Sequence, residues 1–189
     1  FDLGNIYKSF KDYHKSIEYY NIALNEITKD SKSYADIIYR RGGSYERLKD
    51  FEKADNDLLL SLELIPDQPY VLNYLAYSWL ERKINIDQSM QMLLRAYEQK
   101  KSDPYIIDSV GWAYYLNEDY ETAEKYLKNA LLIMPEDPIV NDHYGDVMWK
   151  LDMKLQAMYY WNAALSSEEA EEKLIKDINN KLLFGLTNL

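Results

Sequence analysis

Residues 108–115 read DSVGWAYY, a stretch in which Gly111 stands among large apolar and aromatic side chains. A small residue returns in the same setting at four other places, 34 to 38 residues apart, namely Gly4, Gly42, Ala76 and Gly145. Two antiparallel helices approach closely only where the side chains between them are small. The period therefore predicts a row of similar helical hairpins.

Two further sets of small residues and one set of large residues keep the same period. The small sets are Ser16, Ala54, Ser89, Ala123 and Ala157, then Ala23, Ser61, Ala96, Ala130 and Ala164. The large residues between them are Tyr20, Leu58, Leu93, Leu127 and Trp161. Spacings of three and four residues place these positions on one helical face. One hairpin cannot bury such a face alone, so stacked hairpins are predicted to share a continuous core.

The five prolines mark the predicted junctions between hairpins, where a missing N–H costs least. Two follow a second helix and three begin a first helix, in the order Pro66 and Pro135, then Pro69, Pro104 and Pro138. Asp103 and Asp137 precede two of the latter and are expected to cap the helices that begin there.

These signals divide residues 1–165 into five repeats and leave 166–189 as a capping helix and tail. The repeats are approximately 1–30, 33–66, 69–101, 104–135 and 138–165, the first of them truncated. Two irregular steps fall at 28–33 and 83–87. Both are predicted to be loops, because an extra residue inside a helix would rotate its apolar face out of register.

The last segment has its own helical pattern. Ser166-Ser167-Glu168-Glu169 has the spacing of a capping box, which predicts that a helix begins there. One apolar stripe is predicted after it, formed by Leu174, Ile175, Ile178, Leu182 and Leu183. A helix with one polar face would cover the open end of the stacked core. A docking helix for a partner is the alternative interpretation.

Composition excludes several classes of function. The 189 residues carry a net charge of −10, which disfavours nucleic-acid binding because that needs a basic face. Cysteine is absent, so thiolate metal sites and cysteine nucleophiles are excluded. No apolar run approaches the roughly 18 residues of a membrane-spanning segment. The chain opens at Phe1 inside a helical pattern, and we expect it to be a fragment of a longer protein.

Three segments resemble the signature of the tetratricopeptide repeat family: Leu3-Gly4-x-x-Tyr7, Gly42-x-x-Tyr45 and Val110-Gly111-x-x-Tyr114. The third repeat departs from it with Ala76 and Trp79, and the fifth with Met148. The resemblance implies an all-α, right-handed superhelical solenoid of helical hairpins with a C-terminal capping helix. It also implies a non-catalytic scaffold whose first helices line a concave groove for a partner protein or peptide.

Carrying the family's groove positions onto this chain gives a predicted binding surface rich in aromatic and charged residues. It consists of Tyr39, Arg40, Arg47, Asn73, Tyr74, Tyr77, Asp108, Trp112, Tyr115, Asp142, His143, Asp146 and Trp149, with Asn5 and Lys8 from the truncated repeat. Aromatic anchors with flanking charge suit a segment with apolar side chains and a basic residue. The alternative is that the tyrosines only pack between neighbouring helices. Recognition of a peptide C-terminus is disfavoured, because the fourth and fifth repeats offer aspartates.

Other interpretations remain open at this stage. The truncated repeat or the terminal helix could join copies into a homo-oligomer. Asp142, His143 and Asp146 form a cluster, yet helical metal sites pair two histidines, so neither an enzyme nor a metal or other cofactor is expected. The block from Leu72 to Trp161 is similar to bacterial multi-repeat proteins of the cell envelope. That resemblance implies a lipoprotein or periplasmic scaffold, and an envelope protein complex as partner.

Overall fold

The computed structural model describes residues 1–29 and 31–186, and these residues contain eleven helices. The helices are α1 (Asp2–Ser9), α2 (Tyr13–Asn25), α3 (Lys32–Arg47), α4 (Phe51–Leu64), α5 (Pro69–Glu81), α6 (Ile86–Gln99), α7 (Pro104–Leu116), α8 (Tyr120–Ile133), α9 (Pro138–Lys150), α10 (Lys154–Leu165) and α11 (Glu172–Phe184). They form two compact units, the N-terminal unit Phe1–Ala96 and the C-terminal unit Tyr97–Leu189. The predicted all-α fold is confirmed. The predicted tail residues 187–189, and Asp30 at the end of the first repeat, lie outside the described residues.

Adjacent helices pack as hairpins within each unit. The pairs α1–α2 and α3–α4 do so in the N-terminal unit, and α7–α8 and α9–α10 in the C-terminal unit. The small and large residues face each other as predicted. A Cβ atom on Gly111 would stand 2.6 Å from Leu127 Cγ, and one on Gly145 would stand 2.5 Å from Trp161 Cδ1. The glycines are therefore required by close helix approach.

The helix ends follow the predicted local chemistry. Helices α5, α7 and α9 begin at Pro69, Pro104 and Pro138. Asp103 caps α7 by accepting hydrogen bonds from two backbone N–H groups, and Asp137 caps α9 in the same way. These predictions are confirmed. They could be made from the sequence because the start of a helix depends mainly on neighbouring residues.

The turns inside the hairpins share one backbone feature. Each three-residue turn places its middle residue at positive φ, namely Lys11, Lys49, Glu118 and Asp152. The turn between α5 and α6 is one residue longer and contains two such residues, Lys83 and Asn85. The extra residue predicted at 83–87 therefore lies in a loop. The irregular step at 28–33 falls largely between the end of α2 and the start of α3.

Two predictions about the last helix were wrong in detail. Ser166 ends α10 and donates its hydroxyl to the Asn162 carbonyl, so no capping box forms and α11 begins at Glu172. The buried face of α11 is made by Leu174, Ile178 and Leu182, whereas Leu183 is exposed and Ile175 lies at the edge. At 3.6 residues per turn, Leu183 lies on the opposite side from Leu174, and Lys181 takes its place on the inner face. No helix among the described residues has both the length and the apolar character to cross a membrane.

Candidate partner-binding surfaces

In the N-terminal unit, six of the predicted groove residues lie on two first helices. We call this the α3–α5 surface: Tyr39, Arg40, Arg47, Asn73, Tyr74 and Tyr77. None of the six is fully buried. The rings of Tyr39 and Tyr74 meet edge to face with centroids 6.1 Å apart. The Tyr74 hydroxyl donates to Glu46 Oε2 at 3.2 Å, and burial followed by Glu46 raises its pKa.

Lys8 on α1 completes the α3–α5 surface. Its Nζ donates to the Arg40 carbonyl at 3.5 Å. Burial, and then the charges of Arg40 and Arg47, lower the pKa of Lys8 to about 8 although Glu46 opposes them. A Cβ on Gly43 would stand 2.8 Å from Lys8 Nζ and 3.3 Å from the Tyr74 hydroxyl oxygen. Gly43 thus lets a lysine and a tyrosine reach the backbone of α3.

Two asparagines of the predicted set differ in their hydrogen bonding. Asn5 accepts from the Tyr20 hydroxyl at 2.7 Å, so that acceptor is occupied. The Asn73 amide oxygen is buried and has no donor among the described residues. A buried acceptor without a donor costs about 1–3 kcal/mol.

In the C-terminal unit, α7 and α9 form a stacked aromatic layer. Trp112 stacks on Tyr115 with centroids 4.6 Å apart and on His143 with centroids 4.1 Å apart. His143 Nδ1 lies 3.0 Å from both carboxylate oxygens of Asp108. Asp108 and His143 are buried, while Trp112 and Tyr115 remain partly exposed. Burial, and next the charge of Asp146, raise the pKa of Tyr115.

The two aspartates of α9 lie beneath the terminal helix. Asp142 and Asp146 are 6% and 3% exposed, and Lys181 Nζ of α11 lies 2.8 Å from each carboxylate. Trp161 Nε1 donates to Asp146 Oδ1 at 2.9 Å. Burial and then Asp142 raise the pKa of Asp146 to about 6, against the opposing charge of Lys181. Burial is the largest single effect on Lys181 and lowers its pKa. The two carboxylates together raise the pKa by more, so it lies above its usual value.

Trp149 also packs under α11. Its ring lies 5.2 Å from that of Trp161, and Lys154 Nζ stands 4.2 Å above it. Gly185, which ends α11, approaches the same ring so closely that a side chain there would overlap Trp149. We call Asp142, Asp146 and Trp149 together the Lys181 site. Sequence reasoning placed these residues on a partner-binding surface but did not anticipate that α11 covers them.

The cluster that resembles a catalytic or metal site separates in the structure. His143 pairs with Asp108, whereas Asp142 and Asp146 pair with Lys181. Within residues 1–29 and 31–186, no group of three or more His, Cys, Asp and Glu side chains is arranged to hold a metal ion.

Known proteins share this architecture. The tetratricopeptide repeat family model matches residues 1–25 and 35–68. A repeat-containing protein of Pseudomonas aeruginosa is 28% identical over 124 residues, which are 66% of this chain and 21% of that protein. The chain therefore spans about a fifth of the length of this curated relative.

Solved structures agree on the fold. A thermophilic tetratricopeptide repeat protein of Thermus thermophilus superposes with a TM-score of 0.77 at 18% identity, covering 96% of both chains. PilW, a type IV pilus biogenesis factor, gives 0.75 at 21% identity, covering 97% of this chain and 84% of its own. A tetratricopeptide repeat protein of Parabacteroides merdae gives 0.74 at 19%, covering 96% and 68%. The predicted resemblance to the tetratricopeptide repeat family is confirmed, since the family model matches two segments of a chain that also has the paired helices, small-residue contacts and junction prolines of such repeats.

Proposed function

We propose that this chain is a non-catalytic scaffold that holds a partner protein or peptide on the α3–α5 surface. The observation that carries the proposal is that aromatic and cationic side chains meet there and stay partly open to solvent. Tyr39 and Tyr74 offer ring faces and edges, and Lys8 and Arg40 offer charge beside them. Aromatic and arginine side chains of this kind supply most of the binding energy at protein interfaces. The family resemblance supports the same role.

The chemistry of the α3–α5 surface favours an acidic segment with an apolar or aromatic side chain. Burial lowers the pKa of Lys8 most, and the positive charges of Arg40 and Arg47 beside it lower it further. A carboxylate bound beside it would stabilise the charged ammonium. The sequence analysis predicts a basic residue in the partner. Such a residue suits the two carboxylates of the Lys181 site and not the α3–α5 surface.

The test selects short displayed peptides on the full chain and measures their affinity by fluorescence anisotropy. We expect acidic peptides, and a loss of affinity of about tenfold or more with Tyr74→Ala. Gly43→Ala should weaken the same peptides, because its Cβ displaces Lys8 and Tyr74. Tyr105→Ala, which removes an exposed tyrosine of α7, is the matched control and should leave binding unchanged. Selected peptides that bind both α3–α5 variants as well as the wild type would overturn the proposal.

The proposal assigns no reaction to the Asp142–His143–Asp146 cluster. Each of these side chains is already paired, with Asp108 in one case and Lys181 in the others. Loss of a measurable activity on His143→Ala in the purified chain would contradict this assignment.

Self-association is a second candidate, favoured by exposed apolar side chains on α1 and at its C-cap residue, Phe10. Leu3, Ile6 and Phe10 are 50%, 48% and 76% exposed. Exposed apolar patches of this kind commonly mark protein contacts. Light scattering over a wide concentration range should show a larger species that Phe10→Glu abolishes. A strict monomer at every concentration would remove this candidate.

A further inference from the structure

We infer that the Lys181 site is a recognition site for the lysine of an amphipathic helix, which α11 fills in this chain and a lysine-bearing helix of a partner protein can fill in its place. The inference rests on the proposed function, because it names the chemistry of a partner at a second surface. It goes beyond that function in assigning a site, a side chain and a helix pattern.

The polar half of the site is built for one ammonium group. Asp142 and Asp146 lie one helical turn apart on α9, so both carboxylates point to the same side. Lys181 Nζ donates to both at 2.8 Å. Trp161 holds Asp146 by a further hydrogen bond from the opposite side. Carboxylates as buried as these need a cation, so a helix without a lysine at this place would leave two charges unpaired.

The apolar half of the site fixes the helix pattern. Ile178 is fully buried against the core that contains Tyr144 and Trp161, and Leu174 and Leu182 pack at its edge. These three residues are four apart, and the lysine precedes the last of them by one position. The site is therefore expected to recognise a helix that has apolar residues at positions i, i+4 and i+8 and a lysine at position i+7. Trp149 closes the end of the site where Gly185 passes.

Several features make α11 an occupant that can be exchanged. Its N-cap position holds Glu171 instead of a serine, threonine, aspartate or asparagine, the residues that cap a helix best. Its outer face exposes Leu183 and Phe184, which are 74% and 71% accessible. The segment 166–171 that joins it to α10 contains no helix. A partner helix with the same pattern would offer the Lys181 site the same lysine and apolar side chains as α11, and it competes with a helix that is tethered to the chain.

The test uses the full chain and a fluorescent peptide with the sequence of residues 170–186 as the probe. In the wild type, α11 competes with the probe and weakens its binding. Lys181→Ala in the chain removes the competitor's lysine, and we expect the probe to bind at least about tenfold tighter. Lys176→Ala removes an exposed lysine from the other face of α11 and serves as the matched control. It should leave the affinity of the probe unchanged.

A second variant loosens α11 while Lys181 stays in place. Gly185→Ala brings a side chain against Trp149 and strains a backbone held at φ +72°, so it should also admit the probe. This variant keeps the inference testable if Lys181→Ala does not fold, which circular dichroism will show. Adding Asp142→Asn and Asp146→Asn to either chain should abolish binding.

Specificity is tested in the probe itself. A probe with alanine in place of the lysine corresponding to Lys181 should not bind, whereas alanine at Lys176 should have no effect. Binding that ignores this lysine, or no binding to any chain, would overturn the inference. A dimer of the chain that excess probe cannot dissociate would also overturn the inference, because α11 of a second copy would then occupy the Lys181 site. Gly43→Ala should bind the probe as the wild type does, because the substitution alters the α3–α5 surface and not the Lys181 site. Failure of this inference can therefore be told apart from failure of the proposed function.

Discussion

The ammonium nitrogen of Lys181 lies 2.8 Å from the carboxylate of Asp142, a residue 39 positions earlier in the chain. The same nitrogen is bound to Asp146, so one cation on α11 joins two anions on α9. All three side chains are largely shielded from solvent. This contact changes an acidic surface of the repeat into an occupied site, and it sets the first two predictions.

Removing the cation should destabilise the C-terminal unit strongly. Lys181→Met leaves two buried carboxylates without a partner, and we expect a loss of about 3 kcal/mol in the free energy of unfolding. Urea denaturation followed by circular dichroism measures it. Lys176→Met on the exposed face should change stability by less than about 0.5 kcal/mol. Equal effects of the two substitutions would contradict the buried triad.

The raised pKa of Asp146 predicts a pH dependence of stability. Its folded pKa of about 6 exceeds the ordinary value of 3.8, so the native state binds this proton more tightly than the unfolded chain does. The contribution of this group is full below about pH 4 and is lost as pH rises through 6. Asp146→Asn removes the titration and keeps an acceptor for Trp161. Relative to this variant, the wild type should therefore lose on the order of 2 kcal/mol between pH 4 and 7.

The matched control is Asp152→Asn, since Asp152 lies in solvent. Its stability should follow that of the wild type across the same pH range. A constant gap between wild type and Asp146→Asn would show that Asp146 titrates alike in the folded and unfolded states.

A buried ion pair joins three helices of the N-terminal unit. Arg41 donates to both oxygens of Asp57 at 2.7 Å and to Asn21 at 2.6 Å. Arg41→Met should cost about 3 kcal/mol because Asp57 is left buried and unpaired. The double substitution Arg41→Met with Asp57→Leu should recover most of that loss. Lys101→Ala, from an exposed pair, is the control in urea denaturation.

The close helix approach at Gly145 should not tolerate even one methyl group. A Cβ there meets Trp161 Cδ1 at 2.5 Å and a backbone oxygen of Ala157 at 3.2 Å. Gly145→Ala should lower stability by about 1–3 kcal/mol through overpacking, despite the better helix propensity of alanine. Gly43→Ala meets only side-chain ends, so it should keep or raise the Tm. A stabilised Gly145→Ala chain would refute the packing account.

The positive-φ turn residues offer sites for stabilisation. Glu118 follows α7 with φ 61°, a conformation that disfavours side chains with a Cβ. Glu118→Gly should raise the free energy of unfolding by about 0.5–1 kcal/mol. Asn117→Gly is the control. Asn117 has φ −89°, so glycine relieves no strain there and only raises the conformational entropy of the unfolded chain, which lowers stability. Thermal unfolding should move the two variants in opposite directions.

The sequence by itself determined the repeat architecture of this protein. Small residues such as Gly111 face large ones such as Leu127 because both lie on stripes that the helical period sets. Pro104 and its cap Asp103 begin α7 for reasons confined to neighbouring residues. Signals of this kind act over one or two turns of the chain, so they can be read without knowledge of the fold.

Only the tertiary structure decided which charged groups meet. His143 finds Asp108 from 35 positions away, and Lys181 finds Asp142 from 39. The pattern of α11 indicated an amphipathic helix, but its place on α9 depends on how the repeats stack and on which face of the helix turns inward. An ion pair forms where two surfaces come together, and neither residue carries in its local sequence any mark of the other.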